Sequence, residues 1–291
     1  MTLRVALVQL RVRTDRIDDN LARASKLVEE AAFQGCNLIV LPEAFSTGLN
    51  LPRSRQCATC IPGPGLDWIA ELASRFGTHI AAGLLEGNSD AIYSTSVLVD
   101  GTGRLISSYR RINIYDLESY FISGGDDSAI VDTSIGRIGI IAGYDIQFPE
   151  TLRALFAQNA EVIVCPALLP KLFTQSIRQM ALARAAENCC YLLFCSATGE
   201  NTLAGLTYMG NSMILQSPVG IRTYSQEFRT QESVIAEAAR EEQLLVADLD
   251  LVTLRRLQAA NPLLRDFRRS DYYRSIMARI EHTTSRTGVR P

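Results

Sequence analysis

The chain has 291 residues, room for one large domain or two small ones. Its 47% hydrophobic and 21% charged residues are the values of a soluble globular protein, and a net charge of −2 offers no handle for nucleic acid or an acidic membrane surface. The apolar runs are of strand length, too short to cross a bilayer, and "MTLRVALVQLRV" enters a strand pattern without the architecture of a signal peptide, so the expected compartment is the cytoplasm.

Strand and helix signals then alternate along the chain. "LRVALVQL" predicts a strand. "NLARASKLVEEAAFQG" places Leu21, Ala24, Leu27, Val28 and Ala31 on one helical face, with Gly35 suited to the C-terminal cap. "NLIVLPEAF" predicts a buried strand ending in a Pro-bearing turn, "GLDWIAELASRFG" a helix and "THIAAGLLE" a strand. "STSVLVDGTGRLISSYRRINI" alternates apolar and polar residues around Asp100-Gly101, the signature of a hairpin.

In the second half, "GRIGIIAGYD" and "EVIVCPA" predict buried strands separated by the helix "PETLRALFAQNA", whose first turn holds Pro149. "SIRQMALARAAENC" predicts a helix, "CYLLFCSATG" a strand, and "GNSMILQSPVGI" a strand running into a turn. "EQLLVADLDLVTLRRLQ" closes with a strand and a helix. The class is α/β. With no linker or repeat in view, residues 1–272 are expected to form one domain and residues 273–291 a polar, basic C-terminal extension.

Seven cysteines without a secretion signal are expected to be free thiols. Cys57 and Cys60 form a lone CxxC, which lacks the second pair a zinc site needs. The two histidines, His79 and His282, have no ligand spacing, so neither metal nor cofactor is implied.

In an α/β sheet, functional groups gather at the carboxyl ends of the strands. Four such ends carry candidates: Glu43 after "NLIVLP"; Arg111 after the hairpin, with Glu118 just beyond; Gly143, Tyr144 and Asp145 in "GYD"; and Cys165 in "VIVCPA". Tyr144, Phe148 and Tyr208 either line a pocket or fill the core. Cys165 and Cys195 are expected to be core thiols, since free cysteine is among the most buried residue types.

Several segments in order, "LPEAF", "IPGPGLDWIAELASRFG", "GYDIQFPE", "ARAAENCCYLL", "YMGNSMILQSPVG" and "LLVADLDLVTLRRL", resemble the nitrilase, or carbon–nitrogen hydrolase, superfamily from about Leu3 to Tyr272. The resemblance implies a four-layer α-β-β-α sandwich and a homodimer formed by helix packing across a two-fold axis. It gives Glu43 the role of general base and Glu118 that of a second, positioning glutamate. Arg111 stands where the family has its catalytic Lys, and Gly143 where it has its nucleophilic Cys. Asp145 matches the aspartate that follows that Cys.

Glycine carries no atom able to form a covalent intermediate, so thiol catalysis through position 143 is excluded. An arginine keeps the positive charge of the lysine but does not shuttle a proton. Two readings follow. In one, Glu43 and Glu118 do acid–base chemistry on a small carbonyl, amide or amine substrate held by Arg111, by hydrolysis or by a non-hydrolytic condensation, cyclisation or elimination. In the other, the chain is a non-catalytic ligand sensor or partner subunit. Glu43 and Arg111 are expected to approach an empty volume beside Gly143; Glu43 sealed in a salt bridge with no cavity would defeat the first reading and leave the second.

Overall fold

A computed structural model describes residues 2–221, 227–262 and 275. The first half contains β1 (Thr2–Gln9), α1 (Ile17–Phe33), β2 (Leu38–Val40), α2 (Ser54–Cys57), α3 (Pro64–Phe76), β3 (His79–Gly87), β4 (Ile92–Val99) and β5 (Leu105–Arg110). The second half continues with β6 (Ala129–Thr133), β7 (Gly136–Ile140), α4 (Pro149–Ala157), β8 (Val162–Ala167), α5 (Thr174–Asn188) and β9 (Tyr191–Ser196). Short strands follow: β10 (Glu200–Asn201), β11 (Leu206–Thr207), β12 (Met213–Leu215), β13 (Val219–Ile221), β14 (Phe228–Thr230) and β15 (Val234–Glu237). The last elements are β16 (Gln243–Asp250) and α6 (Leu251–Ala260).

Two six-stranded sheets carry the fold, one ordered β16-β1-β2-β3-β4-β5 and the other β15-β12-β9-β8-β7-β6. β1, β2 and β3 run parallel, as do β7, β8 and β9, while the flanking strands pair antiparallel.

The side chains of β1 show why these strands read as unbroken apolar runs. Leu3, Val5 and Leu7 pack with Ile138, Ile140, Val162 and Val164 of the opposite sheet. The alternate residues Ala6 and Val8 pack with Ala24, Val28, Ala31 and Ile69 of α1 and α3. A strand covered on both faces has no polar side to present. The expected α-β-β-α sandwich is therefore the architecture observed.

Local signals act where the sequence placed them. Ala24, Val28 and Ala31 are the buried face of α1, with Leu21 and Leu27 half-buried beside it. The Asp250 side chain caps α6 by accepting from the backbone N–H groups of Val252 and Thr253, at 3.0 and 3.1 Å. β4 and β5 form the hairpin centred on Asp100-Gly101.

The structure also adds elements. β6, not marked in the sequence, pairs with β7, and its mixed exposure is that of an edge strand. "GNSMILQSPVGI" is divided between β12 in the second sheet and β13, which pairs with β14. The expected C-terminal extension lies outside the described residues apart from residue 275.

Candidate functional site

Glu43 follows β2 through Pro42, in a turn pressed against β3. A Cβ on Gly83 of β3 would come 2.5 Å from the Glu43 Cα and 3.2 Å from the Pro42 oxygen, so only glycine lets the turn lie there. The carboxylate, 4% exposed, is held from both sheets. Its Oε1 accepts from Ser94 Oγ of β4 at 2.5 Å and from Arg111 Nη1, just past β5, at 2.9 Å. Its Oε2 accepts from the Leu168 N–H, just past β8, at 3.2 Å.

Arg111 is 2% exposed and bridges two acids, Glu43 through Nη1 and Glu118 through Nη2. Its Nε is buried without a partner. Glu118 arrives on a short 3₁₀ turn, Asp116–Tyr120. Burial pushes the Glu43 carboxyl above its ordinary value, against the opposing pull of Arg111. Burial also opposes the Arg111 charge, but Glu43 and Glu118 more than offset it, so the guanidinium stays protonated.

The second sheet supplies the facing turn. After β7 the backbone enters a 3₁₀ turn, Gly143–Gln147, with Gly143 at φ +39° in the left-handed region. A Cβ built on Gly143 would overlap Glu43 Oε2 and sit 3.2 Å from Glu43 Cδ. The expected empty volume beside Gly143 is therefore not there. The Glu43 carboxylate occupies it, drawn in by the Leu168 N–H.

Asp145, fully buried, braces the same corner. It accepts from Tyr109 Oη at 2.6 Å, the Asn113 N–H at 2.9 Å and Asn113 Nδ2 at 2.8 Å, with the Ile112 N–H at 3.4 Å. These bonds tie the loop after Arg111 to the turn after Gly143. Burial raises its carboxyl, and the bonds from Tyr109 and Asn113 work the other way.

A residue missed in the sequence reading completes the brace. Arg184 of α5 donates through Nε to the Ile146 oxygen at 3.1 Å and through Nη2 to the Gln147 oxygen at 2.9 Å. Its signal was an arginine among the alanines of "ALARAAEN", on a face that also buries Ala181 and Ala185. A guanidinium there needs oxygen partners.

Above this layer opens a cavity of about 650 Å³. Arg111, Glu118 and Tyr144 line it, whereas Glu43, Gly143, Asp145 and Cys165 lie outside its lining. Tyr208 also lines it, donated to by Asn201 Nδ2 at 3.3 Å. Phe148 instead lines a second cavity of about 510 Å³ on the far side of the Tyr109–Asn113 brace. The wall of the large cavity comes mostly from loops that the sequence reading passed over, with Leu51, Tyr115, Phe173 and Leu203 among them.

Cys165 and Cys195 are fully buried. Burial drives both thiols up, and for Cys165 the nearby Asp145 and Glu43 charges add to it. The Cys195 thiol points at the Val8 and Val40 oxygens between the sheets. Among the described residues there is no cluster of three or more His, Cys, Asp or Glu side chains able to hold a metal ion. None of the described helices is long and apolar enough to cross a membrane.

Residues 4–259 match the carbon-nitrogen hydrolase family. The chain is 32% identical over 278 residues to a nitrilase of Pyrococcus abyssi, covering 93% of this chain and 99% of that protein. It is 27% identical over 296 residues to an omega-amidase of Saccharomyces cerevisiae, covering 95% and 96%. A solved structure from Xanthomonas campestris, described as a CN-hydrolase superfamily protein, superposes with a TM-score of 0.80 at 22% identity, covering 91% of this chain and 97% of that one.

Proposed function

The chain belongs to the carbon–nitrogen hydrolase family, and on that premise we propose that it is a member without the thiol nucleophile that binds a small molecule rather than hydrolysing it. The observation that carries this reading is the position of Glu43. Its carboxylate fills the space beside Gly143, takes three donors and stays out of the cavity lining. A base must come within hydrogen-bond reach of the proton it removes, and this one is committed elsewhere. Cys165 offers no substitute, since it is fully buried and its thiol is raised by that burial and by the Asp145 and Glu43 charges.

One observation favours the enzymatic reading. Arg111 and Glu118 both line the cavity, so a guanidinium and a carboxylate face whatever enters it. On that reading Glu118 and Arg111 act on the substrate, and Glu43 must first leave its seat. Assays of the purified chain on simple amides and nitriles separate the two. The binding reading expects no turnover and a rise in melting temperature with the right small molecule. Sustained release of ammonia from any such substrate overturns it.

The wider setting belongs to the same proposal. The family resemblance supports a homodimer joined by helix packing, and the free cysteines fit a cytoplasmic protein. The near-neutral charge balance supports a small-molecule partner over nucleic acid.

A further inference from the structure

Three contacting rings and two carboxylates line the large cavity. Tyr115 meets Tyr144 edge to face at 5.1 Å between centroids and Phe173 at 5.6 Å, and all three line the space. Asp116 and Glu118 come from the turn that begins just after Tyr115 and line it as well.

The cations of this lining are already engaged. Arg53 pairs with Asp15 at 3.1 Å, and Arg111 holds Glu43 and Glu118 with its two terminal nitrogens. Counting Asp15 and Glu43 behind the wall, four carboxylates stand against two guanidiniums. A carboxylate ligand would have to take Arg111 from acids that already occupy both of those nitrogens. The Asp116 carboxylate makes no ion pair among the described residues, so an organic cation meets that competition only at Glu118. Aromatic faces attract it, and the excess negative charge adds to that attraction. The remaining wall is apolar, with Leu51, Leu168 and Leu203 facing the space, and about 650 Å³ is the size of a small-molecule site.

We propose that this cavity recognises an organic ammonium ion with an apolar or aromatic body, its charged head beside Tyr115, Tyr144 and Phe173 and turned toward Glu118. The proposal rests on the reading of the cavity as a ligand site and names the class of ligand.

Calorimetric titration of the full chain with three probes of one shape tests it: 3-phenylpropylamine, 3-phenylpropanol and 3-phenylpropionate. The amine should bind about tenfold more tightly than the alcohol, and the acid most weakly of the three. Tyr144→Leu should weaken the amine about 3- to 30-fold, and Tyr144→Phe, which keeps the ring, should restore it. Glu118→Gln should narrow the margin of amine over alcohol. Circular dichroism checks that each variant is folded. If the alcohol or the acid binds as well as the amine, the ammonium inference fails and the cavity reading stands. If none of the three binds the folded wild-type chain, both fail.

Discussion

The Glu43 carboxylate stands over Gly143, inside the volume that a β-carbon on Gly143 would need. Glu43 comes from the first sheet and Gly143 from the second, so this contact closes the seam between them at the carboxyl ends of β2 and β7. Glu43, which the family resemblance makes a general base, is buried here with three donors on its carboxylate.

Placing a sulfur at position 143 should not create turnover. In Gly143→Cys the new side chain meets a carboxylate held by three donors, on a backbone already at φ +39°. The strain and crowding should destabilise the fold by about 1–3 kcal/mol. Thermal melts and an ammonia-release assay check this, with a lower melting temperature and no turnover expected.

Removing the acid should cost more. Glu43→Ala leaves the Arg111 guanidinium, 2% exposed, with Glu118 as its remaining ion-pair partner. Breaking a buried pair on one side costs about 3–5 kcal/mol, read as a shift in the urea midpoint.

The same acid should set a pH dependence. Burial raises Glu43 above its ordinary value of 4.5, so the folded chain keeps a proton that the unfolded chain releases. The stability this confers is complete below that ordinary value and is lost as pH rises through the folded-state value. Asp145, also raised, is present in both proteins, so the difference reads Glu43. The melting temperature of wild type minus that of Glu43→Gln should therefore fall as pH rises above the ordinary value of 4.5 and through the folded-state one. A flat or rising difference contradicts the burial of Glu43.

Alkylation should divide the thiols by depth. Cys60 is exposed and Cys57 half-buried, whereas Cys165 and Cys195 are sealed. Iodoacetamide on the native chain, followed by peptide mass spectrometry, should mark Cys60 first and leave Cys165 and Cys195 unmodified. Rapid labelling of Cys165 with loss of function would revive a relocated nucleophile.

The brace at Asp145 should be measurable through one hydroxyl. Tyr109→Phe removes the 2.6 Å donor to a fully buried carboxylate that keeps its Asn113 bonds. An unfolding cost of about 1–3 kcal/mol is expected, with the cavity still able to take its ligand.

Much of the fold was legible because periodicity reports burial. The doubly covered strands β1, β7 and β8 read as apolar runs, and α1 showed its face at helical spacing. The strand ends also marked where Glu43, Arg111 and Gly143 would emerge. The occupant of the space beside Gly143 was not legible, because it depends on a backbone N–H at Leu168, 125 positions away from Glu43, and backbone donors leave no mark on a sequence. The cavity wall escaped for a related reason. Leu51, Tyr115, Phe173 and Leu203 sit on turns and loops with no period to betray which way a side chain faces. The shallow edge strand β6 alternates too weakly to stand out beside β7.

The pairing of β1 with β16 has a consequence for the chain as it is made. Their register runs from Thr2 opposite Asp250 to Gln9 opposite Gln243, so the first of the described strands to be made gains this neighbour only when the last of them emerges. Until then one flank of β1 presents bare backbone donors and acceptors, the kind of edge that pairs with whatever strand it meets. A nascent chain halted between β15 and β16 carries both halves of the sandwich without the strand that completes the first sheet. The closure also brings the start of the chain beside Asp250.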